Sequence, residues 1–135
     1  IGDWAKMIFK KYGTKLELVE DFGHPSILAQ FDVTTNTIRH KKDVTKYFLF
    51  HETMHADECF SLGKLKYLED VHIKGTPITD ANLLRTYKRE KYVYDELMKQ
   101  KKNLSKAEIE YSEWYMQERV IKKCKEQQID IDKIK

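Results

Sequence analysis

The hydrophobic pattern of residues 1–40 predicts a short helix followed by strands. Apolar residues recur at helical spacing after Asp3, which suits an N-cap, and Gly13 offers a stop. The segment KLELVED then alternates in part and has β-propensity, and the turn residues FGHPS follow it. We therefore expect one helix that ends near Tyr12 and a first strand close behind it.

The next segment has the alternation of a β-hairpin. Ala29, Phe31 and Val33 of ILAQFDV fall on one face of a strand. Gln30 and Asp32 fall on the other face. TTN then suits a turn, and TIRH resumes the alternation, so the pattern predicts two paired strands.

From Asp43 onward the hydrophobic period becomes helical. The first helical segment runs to about Leu62, where Gly63 offers a C-terminal stop. This segment contains the apolar run YFLF and, directly after it, the string HETMH. We expect it to form a buried helix.

Two further helices are indicated by their capping residues. Thr79 or Asp80, at the end of the loop GTPITD, caps a long helix. Ser105 and Glu108 have the pattern of a capping box for a last helix. The predicted bounds are 80–101 and 105–125. The order of one helix, strands and three helices predicts an α+β fold in a single domain spanning 1–135.

Composition and charge narrow the class of protein. The 135 residues are 41% hydrophobic, which is enough for one core of ordinary size, and the mild net charge of +3 does not favour nucleic acid. No apolar run approaches the roughly 20 residues that cross a bilayer. The first residues show neither Met nor a signal-peptide pattern, so we expect a domain cut from a longer protein. The spacing of Cys59 and Cys124 leaves open whether they pair.

The string HETMH carries the clearest chemistry in the sequence. His51 and His55 are four residues apart, so on a helix their side chains project from one face, close enough to hold one tetrahedral metal ion. Glu52 lies beside them, where it can act as general base toward a water whose pKa a zinc ion lowers. Chance also produces such strings, but the helical pattern and the preceding apolar run favour a zinc site over core or surface histidines.

A catalytic zinc ion usually has three protein ligands, so one more ligand is expected. The metzincin pattern is excluded, because Glu58 and Ser61 stand where it requires Gly and His. His72 and His40 lie in predicted loop or strand-end positions, where a solvated histidine is the favoured interpretation.

Glu90 is the better candidate for the third ligand. It falls in the middle of the apolar stripe of the long helix, and an ionised carboxylate buried there needs a partner. The stripe consists of Leu83, Leu84, Tyr87, Tyr94, Leu97 and Met98. Metal binding is the favoured role for Glu90, and an ion pair with Arg89, Lys91 or another lysine is the alternative.

Two tyrosines flank Glu90 on the same helix. Tyr87 lies three residues before it and Tyr94 four residues after it, so either hydroxyl could steady a developing oxyanion. Core packing is the favoured interpretation for both side chains.

HETMHADE followed by REKYVYDELMKQKKNLSKAEIEYSEWYM resembles the zincin-like metallopeptidase toxin domains found at the C-terminal ends of bacterial polymorphic toxins. The resemblance runs over about residues 15–119 and is of the gluzincin type, with HExxH on one helix and Glu on the next. It implies a minimal zincin-like fold, a hairpin strand that lines the substrate cleft, and Zn2+ held by His51, His55 and Glu90. Tyr94 departs from the pattern, because gluzincin helices often carry Asp at that position.

The resemblance also implies how the protein acts: export within a larger toxin, delivery into a competing cell, a protein or peptide substrate and a cognate immunity protein. The leading hypothesis is therefore a zinc-dependent metallopeptidase that hydrolyses a peptide bond with Glu52 as general base. The alternatives are a catalytically inactive zinc-binding domain and a helical protein-interaction domain without metal. Glu52 argues against an inactive domain, since metal binding alone does not need that base.

Overall fold

The computed structural model describes residues 2–131, and these fall into two compact units that divide between Tyr67 and Leu68. The described chain combines α-helices with one small three-stranded sheet, which confirms the α+β class. None of the helices within this range is long and apolar enough to span a membrane. Each unit has its own hydrophobic core.

The first unit begins with helix α1, Gly2–Tyr12. Asp3 lies in the first turn of this helix and is therefore not its N-cap, although its negative charge still complements the helix dipole there. Gly13 ends α1 with a φ of +70°, a left-handed conformation that glycine adopts without a Cβ clash. The predicted helix and its stop are confirmed.

A mixed sheet follows, with strands β1 (Lys15–Leu18), β2 (Ala29–Asp32) and β3 (Thr37–His40). Strand β3 is central, antiparallel to β2 and parallel to β1. The predicted hairpin is confirmed. The parallel pairing of β1 is a finding of the structure, because alternation along one strand does not tell which strand becomes its neighbour.

Helix α2, Lys46–Leu62, starts three residues later than the predicted Asp43, because Asp43 lies in a turn before the N-cap. Thr45 is that cap, and its Oγ1 accepts a hydrogen bond from the Phe48 amide at 3.4 Å. Gly63 ends α2 as predicted, with a φ of +86°. A single helical turn that the pattern does not predict, α3 (Lys64–Tyr67), follows at once.

The core of the first unit brings together α1, the central strand and α2. Its buried members are Ile8, Tyr12, Ile38 and Leu49. Leu49 belongs to α2, which also contacts both strands of the hairpin. The helix that carries HETMH therefore packs on the sheet through its apolar side.

The second unit begins with a long exposed loop and then helix α4, Asp80–Lys99. Thr79 is its N-cap and forms a capping box with Asn82, in which each side chain accepts a hydrogen bond from the other residue's backbone amide. Ser105 and Glu108 form the predicted capping box of the next helix, α5 (Lys106–Tyr115). Both predicted starts are confirmed, since caps are local features of the sequence.

The last helix continues beyond α5 through a π-helical segment, Met116–Ile121, into α6, Lys122–Glu126. Its end lies one residue beyond the prediction. The π segment contributes Met116 and Val120 to the core of this unit, together with Tyr87 and the free thiol of Cys124. Residues 132–135 of the tail QQIDIDKIK lie outside the described range.

Arg39 ties the three strands together through their side chains. Its Nη1 lies 2.6 Å from Asp32 Oδ2 on β2, and its Nε lies 3.5 Å from Glu17 Oε1 on β1. The guanidinium, followed by the Thr34 hydroxyl, holds the pKa of Asp32 well below its ordinary value of 3.8. The charged form of Asp32 is thus the form that stabilises the sheet.

We expect Asp32→Asn to lower the free energy of unfolding at neutral pH but much less in acid. A carboxylate whose folded-state pKa is lowered contributes fully above its unfolded pKa near 3.8, and the contribution is lost as the pH falls through the folded value. Because the Asp32 side chain is 27% exposed, the loss at pH 7 should be only about 0.5–1 kcal/mol in urea unfolding.

The exposed Glu20 provides the control variant, Glu20→Gln. A wild-type advantage over Asp32→Asn that stayed constant from about pH 7 to pH 2.5 would contradict the role of the Asp32 charge.

Candidate metal centre

The two histidines of HETMH lie on one face of α2. Their ring centroids are 5.1 Å apart and their planes are inclined by 67°, as expected for residues one turn apart on a helix. His55 is buried and only 8% exposed, whereas His51 is half-buried. The two imidazole rings therefore lie next to each other on a largely buried helix.

Thr53, the middle residue of HETMH, connects α2 to the N-terminal helix. Trp4 Nε1 donates a hydrogen bond to Thr53 Oγ1 at 3.1 Å, and Thr53 Oγ1 donates to the Leu49 carbonyl at 2.7 Å. Thr53 is 2% exposed, so water cannot replace these partners. This chain of hydrogen bonds restricts rotation of α2 about its axis and so helps to aim the histidines.

His55 has a second protein contact, at the ring nitrogen Nδ1. The hydroxyl of Tyr67, at the end of α3, lies 3.3 Å from this nitrogen, and both side chains are buried. The residue pattern does not indicate this contact, because it depends on how the chain turns after Gly63.

Glu90 belongs to the second unit, in the middle of α4. The residue is half-buried, and its Oε2 atom is shielded from solvent. Lys91, one of its alternative partners from the sequence, pairs instead with Asp95 at 2.6 Å. Glu90 as a whole is less buried than its place in the apolar stripe predicts, but its Oε2 atom is buried.

Within residues 2–131, a group of three metal-ligating side chains consists of His51, His55 and Glu90. One ligand atom from each residue lies within 4.8 Å of the other two. These are the three residues that the sequence predicts as ligands, and two imidazoles with one carboxylate could hold a metal ion.

The two other histidines considered as ligands are not in such a group among the described residues. His72 is exposed, and its Nε2 lies 2.8 Å from the Thr76 carbonyl oxygen, which agrees with a solvated loop histidine. His40 is 5% exposed, so the expectation of a solvated residue is wrong there. His40 is buried because β3 is the central strand, and its Nδ1 lies 3.1 Å from the Lys41 carbonyl oxygen.

Tyr87 and Tyr94 both belong to the packed interior of the second unit. Tyr87 is a buried member of the core, and Tyr94 packs against it. Both residues also line a cavity of about 150 Å3 beside the π segment. Burial raises the pKa of Tyr94, and the carboxylates of Glu113 and Asp95 raise it further, so its hydroxyl keeps its proton at neutral pH.

A third tyrosine, Tyr111 on α5, interacts electrostatically with Glu90. Burial raises the pKa of Tyr111, Arg119 lowers it, and the Glu90 carboxylate raises it. The ring stacks on Tyr115 with centroids 6.3 Å apart. Sequence spacing does not reveal Tyr111, because it reaches the field of Glu90 from a different helix.

A family model described as Metallopeptidase toxin 4 matches residues 10–123, which is most of the chain. The chain belongs to this family. The description names a peptidase that needs a metal ion, so membership in the Metallopeptidase toxin 4 family gives the chain a metal cofactor and a protein or peptide substrate. The same family membership indicates that the chain is a toxin domain delivered into target cells. No curated protein and no solved structure matches the chain significantly.

We expect Thr53→Val to destabilise the first unit by about 1–3 kcal/mol, because the indole N–H of Trp4 loses its acceptor while the side-chain volume stays nearly the same. Thr53→Ser keeps the hydroxyl and is the matched control. Urea unfolding followed by tryptophan fluorescence measures both variants. A valine variant as stable as the serine variant would show that this hydrogen bond does not anchor α2.

Proposed function

We propose that this chain is a zinc-dependent metallopeptidase in which His51, His55 and Glu90 hold the metal ion and Glu52 is the general base. The observation that carries the proposal is the close approach of one ligand atom from each of the three predicted residues. Two histidines and one glutamate are a ligand set of catalytic zinc sites, which leave a fourth position for water or substrate.

The residues present fit a zinc ion in chemistry and in spacing. Zinc bonds to imidazole nitrogen and carboxylate oxygen at about 2.0–2.2 Å, so the ligand atoms of a tetrahedral site stand about 3.4 Å apart. The ligand atoms of the three residues lie within 4.8 Å of one another, so side-chain rotation would have to shorten their separations by up to about 1.4 Å to reach that spacing. The buried Oε2 of Glu90 and Nδ1 of His51 support a site sheltered from solvent.

When bound, a zinc ion would lower the pKa of a water molecule and polarise a substrate carbonyl. Glu52 follows His51 directly on α2 and is half-buried, and we propose that its carboxylate faces the water of the metal site. A carboxylate oxygen of Glu52 takes the proton of the attacking water and then donates it to the nitrogen of the leaving amine. Tyr94 and Tyr87 pack in the core of the second unit, which supports a structural role for both, and a role as hydrogen-bond donors for the oxyanion stays a prediction.

The first unit supports a minimal zincin-like arrangement. Its hairpin strands contact α2, so a sheet covers the helix that carries HETMH. We propose that residues 1–135 act as a single toxin domain excised from a larger secreted protein. A cognate immunity protein that binds this domain belongs to the same proposal.

We expect Glu90→Ala to weaken zinc binding strongly, because the set loses its only anionic ligand. Competition with a chromophoric chelator measures the affinity, and the zinc content after dialysis gives an independent check. Glu96→Ala is the matched control, since Glu96 lies on the same helix and pairs with Lys99 at 2.8 Å. Equal zinc affinity in the two variants would remove Glu90 from the ligand set.

We expect Glu52→Gln to retain zinc but to lower the rate of peptide hydrolysis by about 10²–10⁴-fold, since the amide cannot accept the proton of water. Relief of growth inhibition in cells that express the domain reads out the loss while the substrate is unidentified. Glu110→Gln, at an exposed position on α5, is the control. Full toxicity of a zinc-loaded Glu52→Gln protein would indicate that the domain acts by binding rather than by catalysis.

A further inference from the structure

We propose that Tyr67 is a positioning residue for the metal ligand His55: its hydroxyl oxygen accepts the proton of His55 Nδ1 and thereby presents Nε2 to the metal ion. The inference rests on the proposed metal centre and names the ring nitrogen that binds. It also assigns a role to the short helix α3, which the reaction itself does not use.

The contact between the two side chains is direct and sheltered. Tyr67 Oη and His55 Nδ1 are 3.3 Å apart, and the two residues are 4% and 8% exposed. Because both side chains are buried, water does not readily replace this contact. The hydroxyl is therefore a fixed feature of the surroundings of His55.

The position of Tyr67 is set from two directions. Gly63 turns the chain at the end of α2 with a positive φ, and the Tyr67 amide donates to the Gly63 carbonyl at 2.9 Å. The Tyr67 ring meets Phe31 of β2 edge to face, with centroids 6.2 Å apart and planes inclined by 79°. Backbone and ring are both held, so the hydroxyl has little freedom to leave Nδ1.

The chemistry of a histidine ligand explains why this contact selects one nitrogen. A neutral imidazole carries one proton, and the nitrogen that binds metal must be the unprotonated one. A phenol hydroxyl can donate or accept, so the contact occupies Nδ1 in either tautomer and leaves Nε2 as the ring nitrogen for the metal ion. With the metal ion on Nε2, the Tyr67 oxygen accepts the Nδ1 proton and orients the ring. Tyr67 fills this role with a phenol oxygen, where many metal sites use a carboxylate or a backbone carbonyl.

Zinc affinity of Tyr67→Phe tests the inference, because the substitution removes one oxygen and leaves the ring that packs against Phe31. We expect the zinc dissociation constant to rise about 10–100-fold. Tyr12→Phe is the matched control: Tyr12 is equally buried, and its hydroxyl donates to Asp57 of the same helix at 2.8 Å. Its zinc affinity should stay within about threefold of wild type, although it also loses one hydrogen bond to α2.

Nitrogen-15 NMR of the histidine side chains in the zinc-loaded wild-type protein gives a second readout, which does not depend on whether the variant folds. We expect Nδ1 of His55 to be protonated and Nε2 to bear the metal. Zinc on Nδ1, or a folded Tyr67→Phe protein with wild-type affinity, would overturn the role of Tyr67 and leave the proposed function standing. A wild-type protein that takes up no zinc would instead refute the metal centre, and this inference with it.

Discussion

Several polar side chains of the largely buried helix α2 form hydrogen bonds with residues of other helices, and these contacts hold α2 in place. Trp4 of α1 meets Thr53, Tyr12 of α1 meets Asp57, and Tyr67 of α3 meets His55. A buried polar group left without a partner costs about 1–3 kcal/mol, so each contact favours one rotational setting of the helix. Among these three contacts, the one between Tyr67 and His55 acts on a histidine directly.

The parts of the fold that the sequence predicts are those with local causes. Thr79 and Ser105 cap helices through their own neighbours, and Gly63 ends α2 through its own backbone conformation. The parallel pairing of β1 with β3 has no such local signal, because it joins segments separated by the whole hairpin. The same reason explains His40: its burial depends on β3 becoming the central strand.

The candidate site divides in the same way. His51 and His55 are recognisable because a helix converts a spacing of four residues into a shared face, and Glu90 because a carboxylate interrupts an apolar stripe. Periodicity does not predict the contact of the Tyr67 hydroxyl with His55, because that contact depends on the turn of the chain at Gly63. Ligand candidates can thus be predicted from periodicity, whereas the groups that orient them depend on tertiary structure.

The π-helical segment of the second unit keeps the buried side chains of the last helix on one face. The buried positions along α5, the π segment and α6 are spaced every four residues: Ser112, Met116, Val120 and Cys124. On an ideal α-helix each step of four residues drifts by about 40°, so three steps would carry the last side chain about 120° away from the first. The wider i→i+5 turn of residues 116–121 rotates the chain less per residue and cancels much of that drift. Eleven residues of a regular α-helix make about three turns, so a chain one residue shorter here could place its thiol within about 20° of Ser112 without a π segment. The π segment therefore lets the helix hold one extra residue without turning Cys124 away from the core.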